Sequence, residues 1–353
     1  MLEITPLSLT DLDGPDASTH RGVLSVSRAA VIDAIGDDDF AMRPHDMLFA
    51  LTPIEDTVNF ITAGLIDGQV VGYTEGEASL RDNLTQCEIG VTVHPDWRRQ
   101  GIGSQLLDWA RGWAADLGRT TQISWVLAPP ISDDTPTVTA PTGDDFAADR
   151  PGWLFAAHHG FTLEQIERVS NLPLPMPNRQ QLFDDAQAHA AGYRLLVWQG
   201  DIPPQWLDDF AALRARVTID VPMANIETEE EVWDADRLTR NWQKVRSLGF
   251  QRLLVVAEDI ASGHLVAFTQ LSWHPDNPRC AYQGYTFVRG DHRGYRLGML
   301  VKTAALQHLA VVNPTADHVQ TDNASENSWM LAINHAMGFK LSSLMAFVQS
   351  KPD

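Results

Sequence analysis

The chain contains one strand–turn–helix passage twice. Residues 91–107 read VTVHPDWRRQGIGSQLL and residues 286–302 read TFVRGDHRGYRLGMLVK. Aligned one to one, Val93 falls on Val288, Arg98 on Arg293 and Gly103 on Gly298. Each copy is a β-rich run, a turn rich in Gly and Arg, and an amphipathic helical pattern. Self-similarity of this length points to a duplicated unit. The 353 residues suffice for two ordinary domains with full cores.

Hydrophobic periodicity supports the same plan in both halves. Strands are predicted at Leu2–Thr5, Val58–Ile66, Gln69–Thr74, Gln86–Val93 and Thr121–Leu127, with Asp67-Gly68 as a hairpin turn. Helices are predicted around Val23–Ile35, over Gly101–Leu117 and in a short stretch ending at His159. Residues 129–151 hold no apolar period and read as a long surface loop. Residues 172–191, with Pro173, Pro175 and Pro177 at or near their start, read as the linker. The division is therefore 1–171, linker 172–191, and 192–353. In the second half the strands are Tyr193–Trp198, Arg252–Glu258, Leu265–Leu271, Ala281–Val288, Asp317–Thr321 and Lys340–Val348. Its helices are Pro204–Arg216, Thr228–Ser247, Leu297–Ala310 and Asn327–Met337. Hairpin-linked strands with one crossover at each loop imply α+β units, each a mostly antiparallel sheet flanked by helices.

Composition narrows the function classes. An apolar fraction of 44% with 11 Trp fits a folded globule. A net charge of −20 repels nucleic-acid backbones and anionic membranes. It either keeps the protein soluble or also attracts cationic small molecules. The run Glu227–Glu231 with Asp234 and Asp236 has the same two readings, a solvated helix face or the lining of a cation site. Cys87 and Cys280 fall at corresponding places in the two halves and are not expected to pair. The N-terminus does not read as a signal peptide, and no apolar run approaches membrane-spanning length, so a cytoplasmic location is expected.

The first turn reads Arg98-Arg99-Gln100-Gly101-Ile102-Gly103-Ser104. Gly101 and Gly103 let a ligand approach bare backbone, and the N–H groups of the helix start have no intrahelical partner. A pyrophosphate fits there, within the helix dipole. No Gly-Lys-Ser/Thr ending follows, so a nucleoside-triphosphate loop is excluded, and the spacing is not that of a dinucleotide fingerprint.

Val-x-Val-x-Pro-x-x-Arg-Arg-x-Gly-Ile-Gly at 91–103 resembles the acetyl-CoA-binding motif of the GNAT-type N-acetyltransferases, through Arg98, Gly101 and Gly103. The second copy resembles it through Arg293 and Gly298, with Arg296 at the middle glycine position. Thr321–Asn327, followed by Met330, Asn334 and Gly338-Phe339, resembles the next motif of that family. The resemblance touches both halves, in a two-domain plan similar to that of the mycothiol synthases.

The resemblance implies tandem GNAT-like domains that use acetyl-CoA as co-substrate and acetylate a primary amine, here a small molecule, by direct attack. The alternatives are a non-catalytic coenzyme-binding or scaffold protein, and an acetyltransferase acting on protein lysines or N-termini. No metal, nucleic acid or membrane partner is implied, and the chain is a monomer or homodimer. Val91, Val93, Thr286 and Val288 would hold the pantetheine arm. The pyrophosphate would lie on Arg98, Arg99, Gln100, Gly101, Ile102, Gly103 and Ser104, or on Arg293, Gly294, Tyr295, Arg296, Leu297, Gly298 and Met299. Glu88 stands where some members keep a catalytic glutamate; the other reading is a solvated residue or a partner of Arg81. Gln283 takes its place in the second half, and an amide accepts no proton. The family's usual acid, a Tyr four residues before Gly-Phe, is replaced by Ala156 and by Asn334, which could bond the departing sulfur or the pantetheine. Asn327 either caps its helix or bonds the coenzyme, the latter being preferred. The better-formed final helix favours the second half as the active one. Trp273, Tyr282, Tyr285 and Trp329 are either core or an aromatic wall.

Overall fold

The computed structural model describes residues 1–9, 12, 14, 17–217, 224, 229 and 231–351. The chain gathers into two compact units. The first takes Met1–Ile166, Ala224–Ile226 and Ser343–Asp353; the second takes Glu167–Met223 and Glu227–Ser342.

In the first unit β1 (Glu3–Pro6), β2 (Thr57–Ile66), β3 (Gln69–Ser79), β4 (Gln86–Val93) and β5 (Thr121–Ala128) lie side by side in that order. Neighbours are antiparallel except β4 and β5, which are parallel. Asp67 and Gly68, at φ 49° and 79°, make the tight turn between β2 and β3, the geometry that matches strand twist. Helices α1 (Ser18–Ile35) and α2 (Pro44–Leu51) cover one face, burying Val23, Val26 and Met47 on Ile61, Ala63 and Tyr73. Helix α3 (Ile102–Asp116) makes the crossover from β4 to β5 and packs Ile102 and Leu106 on Val71 from the other face. The sequence pattern had no element at α2, because its eight residues are too few to show a period.

Two expectations are corrected here. Residues 129–150 are not a bare loop: β6 (Thr137–Thr139) and β7 (Asp145–Ala147) pair within them, and Phe146 is fully buried. A few apolar side chains anchor the hairpin, too few to read as a pattern. Phe146→Ala is expected to destabilise the first unit by about 3–5 kcal/mol, seen as a lower urea midpoint. The second correction concerns the ends. Helix α4 (Pro151–His158) leads into β8 (Thr162–Pro173), whose residues from Glu167 onward belong to the second unit.

The second unit repeats the plan. Residues Glu167–Pro173 of β8 lie beside β13 (His318–Ala324), followed by β12 (Asn277–Val288), β11 (His264–His274), β10 (Gln251–Asp259) and β9 (Tyr193–Gln199). Only β12 and β13 are parallel. The expected linker is structured: α5 (Arg179–His189) buries Leu182, Phe183 and Ala186 in the same cluster as Leu300 and Ala304 of α8 (Leu297–Val312). Helix α6 (Leu207–Ala215) packs Phe210 and Leu213 on the opposite face, with Leu238 of α7 (Ala235–Ser247). The expected start of that last helix and most of the acidic run 227–231 lie outside the described residues. Helix α9 (Ser328–Met337) ends at Gly338, φ 97°. The last strand, β14 (Lys340–Ser350), returns to the first unit, where Leu344 lies opposite Ala128 and Ser350 opposite Gln122. No described helix is long and apolar enough to cross a membrane. Cys87 and Cys280 form no disulfide, as expected.

Candidate coenzyme clefts

Each parallel pair opens after three residues. Strands β4 and β5 match Gln86 with Thr121, Cys87 with Gln122 and Glu88 with Ile123, and then pair no further although both continue. Strands β12 and β13 match Cys280 with His318, Ala281 with Val319 and Tyr282 with Gln320, and then also part. The inner edges from Ile89 to Val93 and from Gln283 to Val288 are thus left with backbone groups that a ligand can bond. Val91, Val93, Thr286 and Val288 lie on these edges. Thr286 exchanges a hydroxyl bond of 2.6 Å with Thr269.

The turns above the wedges share one backbone path with the residue types exchanged. Arg99 and Gly101 hold φ 62° and 77°; their counterparts Gly294 and Arg296 hold 92° and 58°. Arg296 therefore keeps the left-handed conformation that glycine takes in the first copy, at a cost of about 1–2 kcal/mol. Among the described residues nothing accepts a bond from the N–H groups of Gly101, Ile102, Gly103 or Ser104, nor from those of Arg296, Leu297, Gly298 or Met299. Each turn thus presents a row of free donors at a helix start, the arrangement that takes phosphate.

The arginines divide their work. Arg98 donates to the carbonyl of Val93 at 3.3 Å and pairs with Asp33 at 2.6 Å. It braces the turn instead of facing a ligand, and Arg99 is left as an exposed cation. In the second turn Arg293 makes the same carbonyl contact, to Val288 at 3.4 Å, while Arg296 pairs with Asp185 of α5. The guanidinium of Arg296 therefore does not fill the phosphate space. Exposed Tyr295, at the place of Gln100, lies against the Tyr193 ring, centroids 5.5 Å apart. Ser104 Oγ and His159 Nε2 are 3.1 Å apart. Gly103 and Gly298 let the final helices close in: a Cβ would lie 3.0 Å from Phe155 at the first and 3.0 Å from Ile333 at the second.

The groups that could move protons differ between the units. Glu88 is exposed and lies opposite Glu77 across β3 and β4. The surrounding protein and Glu77 raise its carboxyl above the ordinary range. Arg81 pairs with Asp56, so the pairing of Glu88 with Arg81 is not made. One strand over, burial and the charges of Asp46 and Glu88 push Glu75 up to about 7; no sequence motif marked this residue. In the second unit Gln283 is buried, donating to Thr269 at 2.7 Å and to the carbonyl of Gln270 at 2.9 Å. Strand β12 carries one extra residue there, so that Gly284 and Tyr285 both stand against Gln270.

Asn334 is buried and donates to Asn323 at 2.6 Å, which leaves its own carbonyl oxygen without a partner among the described residues. Asn327 takes the capping role against the expectation of coenzyme binding. Its Oδ1 accepts from Met330 N at 3.2 Å, because a helix start needs that acceptor. Trp273 is core, while Tyr282, Tyr285 and Trp329 are exposed. Tyr282 donates to Asp322, and Arg214 lies 4.2 Å over the ring of Tyr285. Burial and Asp322 push Glu167 up to about 9.

Comparison with known proteins agrees with this geometry. Residues 28–130 match the sequence model of the Acetyltransferase (GNAT) family. A mycothiol acetyltransferase of Salinispora arenicola is 32% identical over 215 residues, which span 54% of this chain and 66% of that protein. A tandem GNAT protein from the clavulanic acid biosynthesis pathway, solved without acetyl-CoA, superposes over the whole of both chains with a TM-score of 0.77 and 25% identity. A GCN5-related N-acetyltransferase from Sphaerobacter thermophilus shares the fold over 99% of this chain and 95% of that one, TM-score 0.62 at 14% identity. With the splayed parallel pair and the open helix start present in both halves, residues 28–130 match the GNAT acetyltransferase family and the whole chain has the architecture of a tandem GNAT protein.

Proposed function

We propose that this protein transfers the acetyl group of acetyl-CoA to a primary amine of a small molecule, by direct attack with both reactants bound, and that the first unit carries out the transfer, in place of the second unit that the final helix favours in the sequence. The observation that carries this reading is the wedge past Glu88 and Ile123, which opens under the free N–H groups of Gly101–Ser104 and beside the carboxyl of Glu88. The pyrophosphate lies on those N–H groups with Arg99 beside it, and the pantetheine runs along Val91–Val93. Holding the two reactants together supplies the orientation. Free backbone N–H groups of the wedge stabilise the oxyanion, and a carboxyl takes the ammonium proton. The departing thiol, with an ordinary pKa of about 8.5, leaves as thiolate without a dedicated acid. The likeness to a mycothiol acetyltransferase supports a small-molecule acceptor.

The second unit binds the coenzyme by the same turn and contributes no base of its own at these positions. Gln283 favours this division, since its amide is buried, hydrogen-bonded and unable to accept a proton. Asn334 would give its open carbonyl oxygen to the pantetheine amide or the thiol. Calorimetry with acetyl-CoA is expected to count two sites, and thiol release in the presence of an amine panel is expected to exceed the rate with water alone. No binding at all would refute the reading, and acetylation of peptides in preference to small amines would redirect it to protein substrates.

A further inference from the structure

We propose that Glu75, on β3, is the residue of the first unit that takes the proton from the attacking amine. The inference rests on the acetyl-transfer reading above and names its base.

Glu75 stands directly across from Gly90, two residues beyond Glu88, on the stretch of β4 that has left β5. Gly90 has no side chain to hold it off. A Cβ built there would lie 3.2 Å from Glu75 Cγ and 3.3 Å from Oε1. The carboxyl therefore lies over the β4 backbone at Gly90, past the last residue paired with β5, whereas Glu88 is level with that last pair. Glu75, Glu77 and Glu88 share one face of the sheet, because Glu77 faces Glu88 and Glu75 faces Gly90.

Among the described residues no donor bonds Glu75, so its lone pairs remain open to a proton. The charged and titratable groups facing it are Asp46 of α2, Glu88 of β4 and the phenol of Tyr73 on its own strand. None is a cation, and their joint effect with burial holds the carboxyl near neutrality, where a general base works best. The second unit offers the contrast. Thr74 and Thr269 occupy equivalent places, opposite Val91 and Thr286, so Gln270 stands for Glu75 just as Gln283 stands for Glu88. Both carboxyls of one wedge are amides in the other.

In the step, the acceptor's ammonium gives one proton to the Glu75 carboxylate. The freed electron pair on nitrogen forms the C–N bond to the acetyl carbonyl carbon. The C–S bond then breaks with its electron pair passing to sulfur, and a second nitrogen proton ends on that sulfur. The products are the amide and free CoA, and Glu75 returns its proton to water.

Two measurements test this. In protein labelled with carbon-13 at the glutamate carboxyls, one signal is expected to titrate near neutral pH, to vanish in Glu75→Gln and to survive in Glu88→Gln. The second is thiol release from acetyl-CoA against pH, using the fastest amine of a panel containing glucosamine, spermidine and lysine, or water where none is faster. Glu75→Gln is expected to lower kcat on the order of 100-fold and abolish the acid limb, with acetyl-CoA affinity by calorimetry within twofold. Gly90→Ala, which keeps the carboxyl and displaces it by a few tenths of an ångström, is expected to lower kcat about tenfold. A neutral-range signal that belongs to Glu88, or an unchanged acid limb in Glu75→Gln, overturns the assignment. Failure of the wild-type protein to bind acetyl-CoA would instead remove the acetyl-transfer reading, and with it the role given to Glu75.

Discussion

Gly103→Glu is expected to weaken acetyl-CoA binding at the first turn beyond calorimetric detection and to leave the second turn untouched. Gly103 lies in the first turn of α3, among the free N–H groups of Gly101–Ser104. A carboxylate placed there would stand within a few ångströms of the pyrophosphate. Like charges about 4 Å apart near a protein surface repel by about 4 kcal/mol before salt screening, so affinity is expected to fall by two to three orders of magnitude. The helix itself gains from a negative charge at its N-terminus, by about 0.3–1 kcal/mol. The local demand is a shift of the Phe155 ring, which a Cβ would meet at 3.0 Å. Gly103→Gln makes the same steric demand without the charge and isolates it. Calorimetry is expected to count one acetyl-CoA site in Gly103→Glu against two in the wild type, with Gly103→Gln between them in affinity. Equal affinities in the Glu and Gln variants would show that charge at this helix start is immaterial, and the phosphate site would have to be sought elsewhere.

Lys302→Leu stabilises the second unit, by the largest amount below neutral pH. Lys302 is fully buried on α8, over the ring of Phe339 at 5.1 Å, with no ion pair among the described residues. Burial alone pushes its ammonium down to about 7 from 10.5. Between those two values the unfolded chain holds a proton that the folded chain has lost. Stability of the wild type therefore rises with pH across that window and carries the full penalty below about 7. At one pKa unit per 1.36 kcal/mol, that penalty is at most about 5 kcal/mol. The duplicated position in the first unit is Leu107, buried in the ordinary way, so leucine fits this place on the helix. Urea unfolding followed from acid to alkaline pH is expected to show a higher midpoint for Lys302→Leu at neutral pH, with the difference closing towards pH 10.5. A difference that does not change with pH would mean that the ammonium is solvated in the folded state.

Much of the fold was legible because it rests on local chemistry. The strand Gln86–Val93 is found as read, and the hairpin at Asp67-Gly68 forms because that pair accepts two left-handed residues in succession. The two strand–turn–helix passages were legible twice over, through their glycines and through their repetition. Less visible were elements whose evidence is short or non-periodic: α2, the hairpin β6–β7, and α5 within the Pro-rich passage. The candidate site was legible in its backbone part and not in its proton chemistry. Glu88 could be proposed from its distance to a motif, whereas Glu75 is adjacent to nothing recognisable along the chain. Cross-strand register alone sets it over Gly90. The side chains of Arg98 and Arg296 misled for the opposite reason: their partners Asp33 and Asp185 are 65 and 111 residues away.

The sequence by itself determined that two units of one kind exist, each with a helix that starts directly after a strand and a tight turn, because residue type and spacing mark that start and its first N–H groups have no intrahelical acceptor. Only the tertiary structure decided which strands complete each sheet, and so which carboxyls face an open wedge. The last strand Ser343–Ser350 joins the first unit, and Glu167–Pro173 joins the second. An amphipathic strand carries its pleat in the sequence but not the identity of its neighbour, since any edge offers the same ladder of hydrogen bonds. Packing of the whole chain makes that choice.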